Sequence, residues 1–174
     1  MPSYAENVSL GIAILAGALA LGAFAVIPLR PLRWLLWAAL VAVIATILWL
    51  TMGMAFHSSA GSHVNLVPFQ EIRRGLDSHG GAPEINLVGN VALFVPVGAL
   101  VAWLARRGRV LVGVVFGILF SVAIELTQFG LGRVADIDDV ILNTTGALAG
   151  ALLAVTWASA VRRRWAGYDE PAGL

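Results

Sequence analysis

The sequence has no cysteine and no lysine, and charged residues make up only 12% of its 174 positions. The absence of cysteine excludes a disulfide framework, a thiolate metal site and cysteine catalysis. Soluble domains carry about 25% charged residues, so the chain is neither an ordinary soluble domain nor a disordered one. A net charge of +1 offers no basic surface for nucleic acid, and no nucleic-acid partner is expected.

What the chain has in abundance is apolar sequence, at 59% hydrophobic residues and a mean hydropathy of +0.87. A helix that crosses a bilayer core needs about 20 apolar residues. Five stretches meet that length, at residues 8–27, 34–56, 86–104, 110–128 and 140–161. The expected fold class is therefore all-α, an integral membrane helical bundle with five transmembrane helices that forms a single membrane domain over residues 1–174.

The arginines predict the orientation of these helices. Eight of the eleven basic residues fall in the loops after the first and third stretches or in the tail: Arg30, Arg33, Arg106, Arg107, Arg109, Arg162, Arg163 and Arg164. By the positive-inside rule these segments face the cytoplasm. The N-terminus is then outside, residues 162–174 form a cytoplasmic tail, and the loops at residues 57–85 and 129–139 are extracytoplasmic.

Polar residues follow a helical period in the fourth stretch. Gly113, Gly117, Ser121 and Glu125 recur every four residues, and Gln128 follows three later, so all five share one helical face. Small residues allow another helix to approach closely. An ionisable residue at membrane depth costs about 2.5–3.5 kcal/mol near the bilayer centre and less toward its edge, so Glu125 is expected to have a partner or a function.

The neighbouring stretches repeat this pattern. Asp136, Asp139 and Asn143 step by three or four residues at the start of the fifth stretch, and Asn86 and Asn90 lie one turn apart at the start of the third. If these faces point at one another, they form a groove that opens to the outside. It contains Asn86, Asn90, Glu125, Gln128, Asp136, Asp139 and Asn143, with Arg133 at its rim.

Three segments resemble one known family. The stretch NLVGNVALFVPVG at residues 86–98 and the upstream NLVPF at residues 65–69 are similar to the "N…LFxPxG" region of VanZ-like membrane proteins. The stretch SVAIELTQFGLGRVADIDDVILNTTGALAG, which begins at Ser121, resembles that family's "S…IExxQ…R…DxxDxxxNxxGxxxG" region. The resemblance covers a VanZ-like core at residues 60–152.

The resemblance implies a multi-helix protein of the bacterial cell envelope. The founding member of the family is associated with resistance to teicoplanin, a glycopeptide with a lipid tail. The positions that match the family motif are Asn86, Asn90, Glu125, Gln128, Arg133, Asp136, Asp139 and Asn143. The resemblance assigns no catalytic role to any of them.

Each polar group has a structural and a functional interpretation. Glu125 with Gln128 is suited to hold a proton, an ion or a ligand donor. Alternatively, Glu125 pairs with Arg133 or bonds to Asn90 or Asn143 and holds three helices in register.

The acidic cluster DIDD at residues 136–139 also has two interpretations. Aspartate is a favoured helix N-cap, but one would suffice. The surplus favours a divalent cation, Mg²⁺ or Ca²⁺, because carboxylate oxygens are the ligands these ions prefer. Its ligands would be Asp136, Asp139 and Glu125.

Residues 68–77, PFQEIRRGLD, predict a short interfacial helix in the outer loop, because Phe69, Ile72 and Leu76 fall on one face. Arg73 and Arg74 are placed to bind a lipid phosphate. Simple membrane anchoring is the alternative.

Three functions remain open, of which a proton- or ion-coupled transporter that uses Glu125 is disfavoured by five spans without inverted repeats. The first is an accessory envelope protein, whose partners are membrane lipids and a lipid-linked cell-wall precursor or a lipoglycopeptide bound at the outer leaflet. The ligand-contacting residues would be Arg73, Arg74, Asn86, Asn90, Glu125, Gln128, Arg133 and Asn143. The second is a metal-dependent hydrolase or transferase that acts on lipid phosphates. No nucleophile motif of the G-x-S-x-G type is present.

Overall fold

The computed structural model describes residues 30–53, 63–77 and 81–166. Its elements are α1 (Arg30–Gly53), β1 (His63–Asn65), α2 (Gln70–Asp77), α3 (Ala82–Leu104), α4 (Arg109–Gly130), β2 (Val134–Asp136) and α5 (Ile137–Ala166). Helices α1, α3, α4 and α5 are long and apolar enough to cross a membrane, which confirms four of the five predicted spans. The predicted span at residues 8–27 lies outside the described residues, and so does the predicted placement of the N-terminus.

The four long helices alternate in direction. The Arg33 guanidinium, near the start of α1, donates to the carbonyl of Leu104 at the end of α3 (3.5 Å). At the opposite end, Arg133 Nη1 donates to the carbonyl of Thr51 in α1 (3.2 Å). Helices α1 and α4 therefore begin, and α3 and α5 end, at one end of the bundle. This end carries the eight arginines of the predicted cytoplasmic segments and is called the basic end. The other is called the polar end.

Glycine allows α3 and α5 to pack backbone against backbone. A methyl group added at Gly98 would overlap the carbonyl of Ala147, and one at Gly150 would overlap the carbonyl of Val95. On the α4 side, a methyl group at Gly117 would overlap the Cβ of Ala147. Such close approach is what stabilises helices in lipid, where there is no hydrophobic force between them. Helix α5 thus packs on α3 and on α4 at once.

Helix α1 packs differently, through large side chains. Leu40, Val43 and Ile47 are buried at helical spacing against Phe94 and Val97 of α3. This contact is an ordinary ridge of aliphatic residues. It completes the bundle without close approach of the backbones.

Two short strands were not predicted. β1 pairs in parallel with β2, with His63 opposite Val134 and Asn65 opposite Asp136. Three residues are too few to show the alternating pattern of a strand, and the partners lie far apart in the sequence. The regular structure of the described residues is therefore helical except for this one two-stranded pair, which fixes residues 63–65 to the start of α5.

Candidate functional site

The predicted polar faces meet at the polar end. Gly113, Gly117, Ser121, Glu125 and Gln128 are all buried along α4, as their spacing predicts. Glu125 is only 6% exposed and lies five residues from the end of α4, about 7.5 Å at the 1.5 Å rise of a helix. The site is thus built at the ends of α3, α4 and α5, beneath the outer loop.

Asp136 joins three elements. Its Oδ1 accepts the backbone N–H of Asp138 (2.8 Å), so Asp136 is the N-cap of α5. Its Oδ2 accepts from the side-chain amide of Asn65 in β1 (2.9 Å). Its own backbone N–H donates to Glu125 Oε2 (2.8 Å). Glu125 therefore bonds to the backbone of Asp136 and makes no ion pair with Arg133, although both residues are described. The ion-pair alternative is wrong.

Asp139 binds the two asparagines of α3. Its Oδ1 accepts from Asn90 Nδ2 (2.6 Å) and from Asn86 Nδ2 (3.3 Å). Asn86 is exposed and Asn90 is half-buried. The predicted contact between the third and fifth stretches is therefore confirmed. Asn86 is the residue of this contact whose side chain is exposed.

Asn143 lies one turn deeper and is 4% exposed. Its Nδ2 donates to Ser121 Oγ on α4 (2.8 Å), one turn below Glu125. Its Oδ1 is buried without a hydrogen-bond partner among the described residues. A buried polar atom left unpaired costs free energy, so the Asn143 Oδ1 is the polar atom at which this pair is incompletely satisfied.

Asp138 is the residue that the sequence analysis missed. It is 0% exposed, and its carboxylate accepts the backbone N–H groups of Phe69 (2.6 Å), Glu71 (2.7 Å) and Ile72 (3.3 Å). These donors lie at the start of α2, so Asp138 caps a helix far away in the sequence. The only sequence signal was the surplus aspartate in the cluster.

The remaining predicted residues lie around this cluster. Arg133 is tied to the end of α1 through Thr51. Gln128 is buried, and its backbone carbonyl accepts the N–H of Arg133 (3.0 Å). Arg73 and Arg74 are exposed on α2, and Arg74 is paired with Glu71. These two arginines are linked to the cluster only through the start of their helix.

The prediction of a divalent cation rests on a surplus of aspartates at residues 136–139, and each of these aspartates has a hydrogen-bonding role in the structure. Asp136 caps α5, Asp138 caps α2 and Asp139 binds two amides, so none of the three carboxylates is surplus. In the described ranges no group of three or more His, Cys, Asp or Glu side chains is arranged to hold a metal ion. The site of Asp136, Asp139 and Glu125 stays a prediction, which calorimetric titration with Mg²⁺ and Ca²⁺ would test.

The fold and the site together define a helical membrane protein with its polar side chains gathered at one end of the bundle. Residues 19–158 match the VanZ/LLP1 family, and the chain belongs to that family. This match confirms the resemblance carried by the motifs and extends it beyond residues 60–152. No curated protein and no solved structure matches the chain.

Proposed function

We propose that the chain is a cell-envelope protein that binds a lipid-linked or lipid-tailed ligand at the outer leaflet and contributes to tolerance of glycopeptides such as teicoplanin. The orientation follows from the eight arginines at the basic end, against Arg73, Arg74 and Arg133 at the polar end. The positive-inside rule puts the basic end in the cytoplasm. With a fifth span at residues 8–27, the N-terminus is outside and the C-terminus inside.

One observation carries the proposal: the polar side chains that are buried in the described part of the bundle all lie toward the end opposite the basic end, at Ser121, Glu125, Gln128, Asp138 and Asn143. They include a buried carboxylate at Glu125 and an incompletely paired amide at Asn143. Polar groups within a membrane bundle are costly and are typical of functional sites. On the outer face such groups meet cell-wall precursors and lipid-tailed antibiotics.

The polar side chains have different proposed roles according to how exposed they are. Arg73, Arg74 and Asn86 are exposed and would contact the ligand first, the arginines at a phosphate or carboxylate. Asn90 and Asp139 lie directly behind Asn86 and orient it. The ligand class that fits is a lipid whose head group offers both an anionic oxygen and hydrogen-bonding groups.

The test is teicoplanin tolerance of a susceptible bacterial host that expresses Glu125→Gln, Asp139→Asn or Asn86→Ala at equal membrane levels. We expect each variant to lower tolerance. Gly89→Ala is the matched control, because nothing lies within 4 Å of a methyl group at that position in α3. If all three variants equal the parent, the polar cluster is not the active feature.

A second arm identifies the ligand. Lipids that co-purify with the protein in mild detergent are compared between the parent and Asn86→Ala by mass spectrometry. We expect a lipid with an anionic head group to be depleted in the variant. Identical lipid profiles would contradict ligand binding at this end.

A further inference from the structure

The segment of residues 63–77, here called the interfacial segment, exposes an apolar strip at the polar end. Five large apolar side chains of this segment are more than half exposed: Val64, Leu66, Val67, Phe69 and Leu76. Leu66 and Leu76 reach 70% and 69%. So many exposed large apolar side chains within 15 residues are typical of a contact surface.

The strip lies at the level where the membrane begins. Gly75 is buried, and a methyl group there would lie 3.0 Å from Leu87 Cδ1 and 3.1 Å from the carbonyl oxygen of Pro83. Both partners belong to the first turns of the α3 span. Four residues of helix rise about 6 Å, which is comparable to the thickness of the head-group layer on each side of a bilayer. A bilayer that begins where the α3 span begins would therefore place the interfacial segment at the level of the lipid head groups.

The segment is held rigidly in this position. β1 pairs with β2, Asp138 accepts the first N–H groups of α2, and Gly75 packs on α3. Phe69 has a positive φ of 65°, a conformation that an aromatic residue rarely adopts without support. The apolar strip is therefore presented in a fixed orientation, which lowers the entropic cost of a contact.

The two arginines of α2 differ in their surroundings. Arg74 forms an ion pair with Glu71, whereas no carboxylate of the described chain pairs with Arg73. Arg73 also lies next to the apolar face, since Leu76 is three residues away and about 60° around the helix. An unpaired guanidinium beside apolar side chains is complementary to a lipid phosphate.

We infer that the interfacial segment inserts its apolar strip into the head-group layer and that Arg73, rather than Arg74, binds a phospholipid phosphate. This inference deepens the proposed function and rests on the same placement of the polar end at a membrane surface. It identifies the contact with membrane lipid that the protein makes before any ligand binds near Asp139, Asn86 and Asn90. The occupant is the phospholipid of the surrounding leaflet.

The absence of cysteine allows a direct test with an environment-sensitive fluorophore on single cysteines. Leu76→Cys and Val67→Cys place the label on the strip, and Gln70→Cys places it at an exposed position about 120° around α2 from Leu76. In lipid nanodiscs we expect labels at the first two positions to emit at shorter wavelength than the Gln70→Cys label. We also expect quenching by spin-labelled lipid.

Water-like emission without quenching from both strip positions would overturn the inference. Val67 lies outside the helix, so its label remains informative if Leu76→Cys disturbs α2.

The role of Arg73 is tested with the Leu76→Cys label and two quenchers, spin-labelled phosphatidylglycerol and spin-labelled phosphatidylcholine. We expect Arg73→Gln to lower the preference for the anionic lipid about fivefold, the contribution of one basic side chain near an anionic surface. The double variant Glu71→Gln, Arg74→Gln removes the ion pair at constant net charge; it is the matched control and should change the preference much less. Equal losses in the two variants, or no loss in either, would contradict the assignment to Arg73.

The two hypotheses can fail separately. Water-like emission overturns the membrane contact whatever the tolerance assay gives. Unchanged teicoplanin tolerance of the Glu125→Gln, Asp139→Asn and Asn86→Ala variants overturns the proposed function whatever the label reports.

Discussion

Asp138 is predicted to control the attachment of the outer loop, and Asp138→Asn is the change that tests this. Its two carboxylate oxygens accept three backbone N–H groups, one on Oδ1 from Phe69 and two on Oδ2 from Glu71 and Ile72. Asparagine keeps the shape but offers one acceptor oxygen and an NH₂ group. Whichever way the amide turns, an NH₂ group faces a backbone N–H.

The expected loss follows from the bonds that disappear. A hydrogen bond to a charged group contributes about 1.5–3 kcal/mol, and at least one such bond is replaced by a donor–donor contact. We therefore expect the free energy of local opening of residues 69–72 to fall by about 2–3 kcal/mol, equivalent to roughly 30- to 150-fold faster exchange of these amides. The helices of the bundle should be much less affected, because α3 and α5 pack through their glycines.

The assay is amide hydrogen exchange followed by mass spectrometry on the protein in nanodiscs. Asp77→Asn is the matched control, because it makes the same chemical change at an exposed position of the same helix. If exchange at residues 69–72 is the same in Asp138→Asn and in the parent, the carboxylate does not hold the loop and the reasoning is refuted.

Two further predictions concern thermal unfolding in mild detergent. Gly98→Ala should lower the unfolding temperature strongly, because the new methyl group meets the backbone carbonyl of Ala147. Gly89→Ala should raise the unfolding temperature slightly, because alanine favours the helix over glycine by up to about 1 kcal/mol. Equal effects of the two variants would contradict the close packing at Gly98. The double variant Ser121→Ala, Asn143→Leu should be as stable as the parent or more so, because it removes both hydrogen-bond partners together with the unpaired Oδ1. A large loss of stability would show that the pair is structural.

The sequence predicts this molecule best where side chains on one helix share a face. The period of four from Gly113 to Glu125 correctly places these residues in the interior, because helix geometry alone determines which side chains lie together. The same holds for Asn86 and Asn90, which both reach Asp139. Apolar length predicts the described spans because the thickness of the bilayer fixes how many apolar residues a spanning helix needs.

The sequence fails where a side chain meets a distant backbone. Asp138 bonds to N–H groups at residues 69–72, and Arg133 bonds to the carbonyl of Thr51. Every residue except proline has a backbone N–H, so no residue pattern marks such partners. Glu125 shows the same limit, because charge suggests Arg133 as its partner and the structure gives it the N–H of Asp136. The pairing of β1 with β2 is hidden for the same reason.

Glycine packing between helices and hydrogen bonds of polar side chains hold different parts of the molecule in place, and this difference bears on function. Glycine packing brings α3, α4 and α5 into close contact, and a buried polar network can often be replaced by apolar residues without loss of stability. We therefore expect the packing of these three helices to depend less on Glu125, Asp139 and Asn143 than on their glycines. The position of the interfacial segment depends on the hydrogen bonds of Asp136 and Asp138, and the orientation of the Asn86 side chain depends on Asp139. The hydrogen bonds of Asp136, Asp138 and Asp139 thus hold the interfacial segment and Asn86 in place, which is the arrangement that the proposed ligand binding needs.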